Sequence, residues 1–126
     1  MTDSKARHTA MIVDDSEVMR EMLRDILTAG NYEIVAEAVN GVEAVELYKN
    51  FKPKLTVMDV LMPLDDGIKA TKNIIALDKN AKVVMCSSIT DDALILSAYN
   101  AGASGIIFKP FVTERALEVI HSVMLE

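Results

Sequence analysis

Short apolar runs alternate along this chain with longer segments in which apolar residues recur every three or four positions. The runs are almost continuously hydrophobic, which is typical of strands covered on both faces of a sheet. They predict five strands, at 8–13, 32–38, 55–58, 82–86 and 105–108. The intervening segments predict five helices, because apolar positions on one helix face repeat about every 3.6 residues. The predicted helices lie at about 18–27, 42–50, 67–77, 91–101 and from 113 onward.

Five successive strand–helix pairs predict an α/β fold, in which parallel strands form one sheet with helices on both faces. A length of 126 residues suits one domain with a substantial core. We therefore expect a single domain over residues 1–126, with its core at about 8–124 and no attached effector module. Local signals also mark helix ends: Asp15 or Ser16 and, later, Thr113 suit N-cap positions, and Gly30 follows the first helix.

Polar side chains follow four of the predicted strands at the points where those strands end. Asp14 and Asp15 follow the first strand, Asp59 the third, Ser87 the fourth and Lys109 the fifth. The carboxyl ends of parallel strands meet at one edge of a sheet, where open α/β sheets bind ligands. Three acids at one edge repel one another, and a divalent cation relieves that repulsion. Hard oxygen ligands suit Mg²⁺, so the pattern indicates a phosphate site with a magnesium ion.

Composition and charge exclude several other classes of protein. Thirteen basic residues against nineteen acidic ones give a net charge of −6, which argues against a nucleic-acid partner because no basic stripe is available. No apolar run reaches membrane-spanning length, and the polar start of the chain lacks a signal-peptide core. The single cysteine, Cys86, excludes an internal disulfide and lies in an apolar run, which favours a core residue in a reducing compartment. We expect a cytoplasmic protein with no membrane partner.

Several motifs in order resemble one known family. They are Ile12-Val13-Asp14-Asp15-Ser16, Asn40-Gly41-Val42-Glu43-Ala44, Met58-Asp59-Val60-Leu61-Met62-Pro63, Asp66-Gly67, Ala101-Gly102-Ala103 and Lys109-Pro110-Phe111. With these motifs the chain resembles response-regulator receiver domains, and more closely the single-domain chemotaxis regulators of the CheY type. The resemblance implies a flavodoxin-like fold, a five-stranded parallel sheet in the order 2-1-3-4-5 flanked by five helices.

The resemblance also implies roles for the acidic residues. Asp59 is similar to the aspartate that accepts a phosphoryl group from a kinase phosphohistidine. Asp14 and Asp15 resemble the acidic pair that holds Mg²⁺, with Asp59 and the backbone carbonyl of Leu61 completing the protein ligands. Phosphoryl transfer depends mainly on positioning and charge neutralisation, which suits this set of groups.

Two further residues complete the implied site. Ser87 is similar to the hydroxyl residue that moves to bond the phosphoryl group, although the neighbouring Ser88 is an alternative. Lys109 resembles the lysine that pairs with a phosphoryl oxygen, and the resemblance implies a cis bond between Lys109 and Pro110. Movement of Ser87 would then shift the loop after the fourth strand and alter the surface formed by helix 4, strand 5 and helix 5.

The resemblance implies a signalling switch with autophosphorylation and autodephosphorylation activity, not an enzyme in the usual sense. Its partners would be a histidine kinase, a downstream motility or regulatory protein bound at the surface of helix 4, strand 5 and helix 5, and a separate phosphatase. Leu61 and Ile89 occupy the positions that tune dephosphorylation in this family, and neither orients a water, so we expect slow self-dephosphorylation. A single-domain phosphorelay or sporulation-type shuttle remains the alternative.

Two positions depart from the family pattern, and three rival classes fit less well. Ile106 stands where chemotaxis regulators usually carry a mobile aromatic residue, and Asp65 adds a negative charge where methionine is common. A flavodoxin-like redox protein would need a Ser-, Thr- and Gly-rich loop after the first strand. A haloacid-dehalogenase-type phosphatase would need Asp-x-Asp there, whereas the two acids are adjacent. A scaffold that is never phosphorylated would not require the complete acceptor set.

Overall fold

The computed structural model describes residues 7–62 and 67–126. Five strands alternate with five helices along this part of the chain. The strands are β1 (His8–Val13), β2 (Tyr32–Ala38), β3 (Leu55–Asp59), β4 (Lys82–Ser87) and β5 (Gly105–Phe108). The helices are α1 (Glu17–Ala29), α2 (Gly41–Phe51), α3 (Gly67–Leu77), α4 (Asp92–Asn100) and α5 (Thr113–Met124). The predicted element order is confirmed, and β3 and β4 each extend one residue further than predicted.

The strands form one parallel sheet in the order β2-β1-β3-β4-β5, which confirms the predicted fold. At the carboxyl edge, Val13 pairs with Met58, so the residues after β1 lie beside the end of β3. Asp59 pairs with Cys86 at the end of β4. Ser87 in turn pairs with Phe108. This register brings the polar residues at the carboxyl ends of β1, β3, β4 and β5 to one edge of the sheet.

Two hydrophobic clusters cover the two faces of the sheet. One contains buried residues of α2, α3 and α4, and the other contains buried residues of α1 and α5. Full burial of a large aliphatic side chain contributes about 1.5–3 kcal/mol, so helices that bury several such residues are held firmly. α1 buries Leu23, Ile26 and Leu27. In α4, by contrast, Ala98 is the residue that is buried.

Side-chain caps begin α1, α2 and, through Asp91, α4, and one predicted cap is wrong. Ser16 is the N-cap of α1 and accepts a hydrogen bond from the backbone N–H of Met19, and Asn40 caps α2 in the same way. Thr113, predicted as an N-cap, is the first helical residue of α5, and the cap position belongs to Val112 without a side-chain hydrogen bond. The first turn closes there because the N–H of Ala116 donates to the carbonyl of Val112.

The segment between β3 and α3 carries part of the sequence motif. Pro63, Asp65 and Asp66 fall outside the described residues. At its far end Gly67 donates its N–H to the carbonyl of Val60 at 2.9 Å, which fixes the start of α3 against the end of β3. Among the described helices, none is both long and apolar enough to cross a membrane.

Candidate functional site

Three carboxylates meet at the carboxyl edge of the sheet. Asp14 follows β1 and is 1% exposed, and Asp59 ends β3 and is 7% exposed, whereas Asp15 is exposed. One carboxylate oxygen from each residue lies within 4.8 Å of the others. Three hard oxygen donors at this spacing fit a divalent cation such as Mg²⁺, which would also relieve their mutual repulsion. The predicted convergence of these three residues is therefore present in the structure.

Lys109 lies between two of these carboxylates. Its Nζ is 3.3 Å from Oδ2 of Asp14 and 3.4 Å from Oδ1 of Asp59. Its backbone N–H donates to the carbonyl of Ser87 at 2.9 Å, which ties the end of β5 to the end of β4. The Lys109–Pro110 bond is cis, as the resemblance implied. A positive charge thus faces the two buried acids from the β5 side.

The protonation of Asp59 reflects its surroundings. Burial raises its pKa, and the negative charge of Asp14 raises it further, so the pKa is about 6 even though Lys109 and the N–H of Leu61 lower it. For Lys109, burial lowers the pKa, but the charges of Asp59 and Asp14 outweigh burial and the pKa is raised. Lys109 is consequently charged at neutral pH, and Asp59 carries a charge that the protein alone does not fully compensate.

The Ser87 hydroxyl is bonded to the loop that follows it. Its Oγ donates to the carbonyl of Ile89 at 3.0 Å and accepts from the N–H of Ile89 at 2.9 Å. Ser87 is 4% exposed and lies at the same edge as Asp59. The side chain therefore holds the β4–α4 loop in place, and it would have to release Ile89 before bonding another group.

Apolar residues follow Asp59 and Ser87 at a distance of two positions. These residues, Leu61 and Ile89, are 53% and 39% exposed. A Cβ on Gly67 would meet the carbonyl oxygen of Asp59, which explains why this position lacks a side chain. Cys86 is buried beside Asp59 in the sheet, and burial raises the pKa of its thiol, so it behaves as the expected core residue.

Arg20 contacts this site and is itself paired with Glu37, and neither residue was predicted from the sequence. Nη1 of Arg20 donates to the backbone carbonyl of Asp14 at 2.7 Å, and its Nε is 3.4 Å from Oε1 of Glu37. Arg24 pairs with the same carboxylate at 2.6 Å. The sequence signal for this ion pairing has two parts. A charged residue lies near the end of an apolar strand, and two arginines lie four residues apart on a helix.

Exposed apolar side chains also lie on α4, at the end of β5 and just before α5. Leu96 and Tyr99 of α4 are 61% and 48% exposed, and Phe108 and Val112 are 40% and 56% exposed. A surface cavity of about 300 Å³ is lined by residues of β5 and α5, including Phe108 and Val112. Ile106, which replaces the family's usual aromatic residue, is partly buried and packs against the core.

The fold and the acidic edge together are those of a receiver domain. The response regulator receiver domain family matches residues 10–121, and the chain belongs to this family. Receiver domains are signalling switches and not conventional enzymes. The chemotaxis protein CheY of Thermotoga maritima is 46% identical over 113 residues, covering 90% of this chain and 94% of that protein. CheY of Bacillus subtilis is 44% identical over 117 residues, covering 93% of this chain and 98% of that protein.

A solved structure gives the same relationship in three dimensions. The complex of CheX, CheY, BeF₃ and Mg²⁺ from Borrelia burgdorferi contains a chain that matches with a TM-score of 0.90 and 34% identity. The match covers 94% of this chain and 90% of that chain. The similarity therefore extends over nearly the whole fold and is not confined to the motifs.

Proposed function

We propose that this protein is a stand-alone cytoplasmic response regulator, phosphorylated on Asp59 by a histidine kinase in a Mg²⁺-dependent reaction and acting in chemotaxis or motility control. The observation that carries the proposal is the position of Asp59. Its carboxylate is buried at the carboxyl edge, 3.4 Å from Nζ of Lys109, and groups with Asp14 and Asp15 within 4.8 Å. The similarity to chemotaxis proteins over about nine-tenths of the chain supports the cellular role.

The phosphoryl transfer requires Asp59 as an anion. A carboxylate oxygen of Asp59 forms a bond to phosphorus while the phosphorus–nitrogen bond of the phosphohistidine breaks, and the electron pair of that bond stays on the imidazole nitrogen. The raised pKa of Asp59 opposes ionisation. A Mg²⁺ ion held by Asp14, Asp15, Asp59 and the Leu61 carbonyl would supply the positive charge that favours the anion. Lys109 would pair with a phosphoryl oxygen from the β5 side.

Ser87 supplies the switch in this proposal. A phosphoryl group on Asp59 adds about −1.5 to −2 charges and three strong acceptors. The Ser87 hydroxyl, now bonded to Ile89, would donate to one of these acceptors and release the β4–α4 loop. The exposed apolar side chains on α4, at the end of β5 and just before α5 would then form part of the α4–β5–α5 surface that a downstream partner binds.

Phosphorylation itself is tested by incubating the protein with Mg²⁺ and acetyl phosphate and measuring the intact mass. We expect the mass of one phosphoryl group in the wild type and none in Asp59→Asn. Asp78→Asn, which removes a carboxylate outside the acidic edge, is the control and should still be modified. No added mass in the wild type with Mg²⁺ present would refute the proposal. Transfer of the labelled phosphoryl group from Asp59 to a second protein would favour the phosphorelay alternative.

The lifetime of the phosphorylated form depends on the apolar residues that lie two positions after Asp59 and Ser87. Leu61 and Ile89 cannot hydrogen-bond an attacking water, so we propose slow self-dephosphorylation and dependence on a separate phosphatase. Leu61→Asn should speed the loss of label from ³²P-phosphorylated protein, because an amide can orient water. Leu61→Ala shortens the side chain without adding a polar group and serves as the control. Rapid loss from the wild type would contradict this expectation.

A further inference from the structure

We propose that Arg20 is a positioning residue that fixes the Asp14–Asp15 backbone so that both carboxylates face the divalent ion. The inference rests on the proposed Mg²⁺ site and adds a residue to its support. Arg20 lies in the first turn of α1, and its side chain is 13% exposed. Nη1 donates to the carbonyl oxygen of Asp14 at 2.7 Å, which is a short, charge-assisted hydrogen bond.

The acceptor of this bond belongs to the peptide that joins the two acidic residues. Asp14 is also held by its own N–H, which donates to Ala38 at 3.1 Å, and by Oδ1, which accepts from Ser16 at 2.9 Å. Asp15 is exposed, and among the described residues no hydrogen bond or ion pair involving its carboxylate is found. Its direction therefore depends on the peptide plane before it, and Arg20 holds that plane through the carbonyl.

The guanidinium of Arg20 is itself anchored. Its Nε is 3.4 Å from Oε1 of Glu37 near the end of β2, and its Nη2 is 3.5 Å from Oε1 of the more exposed Glu17. A planar guanidinium presents several donors in fixed directions, so it can bond a carbonyl and a carboxylate at once. A lysine at this position would keep the charge but lose the fixed geometry. Arg20 thus links α1, the end of β1 and the end of β2.

Arg24 provides a matched comparison within the same ion-pair cluster. Its Nε is 2.6 Å from Oε2 of Glu37, a shorter contact than that of Arg20. Among the described residues its side chain makes no hydrogen bond to Asp14. Loss of Arg24 removes a positive charge and an ion pair from this cluster but leaves the Asp14 carbonyl bonded. A difference in Mg²⁺ affinity between variants of the two arginines therefore reports the effect of the hydrogen bond from Arg20 to the Asp14 carbonyl.

The test measures Mg²⁺ affinity by following backbone amide signals of the unphosphorylated protein by NMR during titration with MgCl₂. We expect Arg20→Met to raise the dissociation constant roughly tenfold, because residues that orient metal ligands affect affinity by about that factor or more. The dissociation constant of Arg24→Met for Mg²⁺ should stay within about twofold of the wild-type value. Equal dissociation constants for Arg20→Met and Arg24→Met would overturn the inference.

Two further measurements separate this inference from the proposed function and from simple misfolding. With acetyl phosphate, Arg20→Met should need more Mg²⁺ for half-maximal phosphorylation yet approach the wild-type rate at saturating Mg²⁺. If Arg20→Met does not fold, Arg20→Lys and Arg24→Lys carry the same comparison, and equal Mg²⁺ affinity in that pair overturns the inference. Absence of Mg²⁺ binding by the wild type would overturn the proposed function and this inference together.

Discussion

Asp59 should destabilise the metal-free protein at neutral and alkaline pH. Its pKa rises from the usual 3.8 to about 6, first because of burial and then because of Asp14. The folded protein therefore binds this proton more tightly than the unfolded chain does. The contribution of protonated Asp59 to the free energy of unfolding is fully present below pH 3.8 and is lost as the pH rises through about 6. At roughly 1.4 kcal/mol per pKa unit, the cost of ionised Asp59 is about 2 to 3 kcal/mol at pH 8.

Asp59→Asn should recover most of this free energy, because asparagine approximates the protonated carboxyl group. In urea denaturation with EDTA at pH 8, we expect the free energy of unfolding of the variant to exceed that of the wild type by about 2 to 3 kcal/mol. At pH 4.5 the advantage should shrink to about 1 kcal/mol. Asp25→Asn, which removes an exposed carboxylate from α1, is the control and should show no comparable advantage.

Addition of Mg²⁺ provides a second check on the same reasoning. An ion that binds the folded wild type stabilises it, so saturating Mg²⁺ at pH 8 should narrow or reverse the advantage of Asp59→Asn. Equal unfolding free energies of wild type and variant at pH 8 in EDTA would refute the reasoning. An advantage that grows on acidification would refute it as well.

Three other substitutions test the packing around the sheet. Thr56→Val should raise the free energy of unfolding by about 1 kcal/mol in urea denaturation, because Oγ1 of Thr56 is buried and has no hydrogen-bond partner within residues 7–62 and 67–126. A loss of stability would contradict this. Gly67→Ala should lower the free energy of unfolding by about 1–3 kcal/mol, because the added Cβ would meet the Asp59 carbonyl. It should also weaken Mg²⁺ binding in an NMR titration, and unchanged binding and stability would contradict this prediction. Tyr48→Phe should cost about 1 kcal/mol by thermal unfolding, because the phenol donates to Asp78 at 3.0 Å; Tyr99→Phe, at an exposed tyrosine of α4, is its control.

The strands could be predicted because local sequence carries that information, whereas their order in the sheet was implied only by the resemblance to receiver domains. Four of the strands end at or just before a polar residue that marks the carboxyl edge, and this pattern alone predicts that Asp59 and Lys109 lie at one site. Thr113 shows where this reasoning ends. Residue type alone favoured it as a cap, but the helix begins one residue earlier because the N–H of Ala116 reaches Val112.

The electrostatics of the site could not be read from the sequence. The pKa of Asp59 depends on its burial and on the distances to Asp14 and Lys109, which exist only in the folded chain. The hydrogen bonds of Ser87 to Ile89 are local but depend on the path of the β4–α4 loop. The contact of Arg20 with Asp14 joins a helix to a strand end through side-chain length, which spacing along the chain does not specify.

The small number of buried side chains in α4 has a consequence for the local opening of this helix. Ala98 is the buried residue of this helix, whereas α1 anchors itself with three large aliphatic side chains. Free energies of local opening vary across a protein, and segments with few buried contacts open first. Amide protons of α4 should therefore exchange with deuterium sooner than those of α1. This exchange should occur by local opening of α4 while the sheet stays folded. In such a molecule a signal can travel as a change in the degree of order of one helix, without displacement of the domain around it.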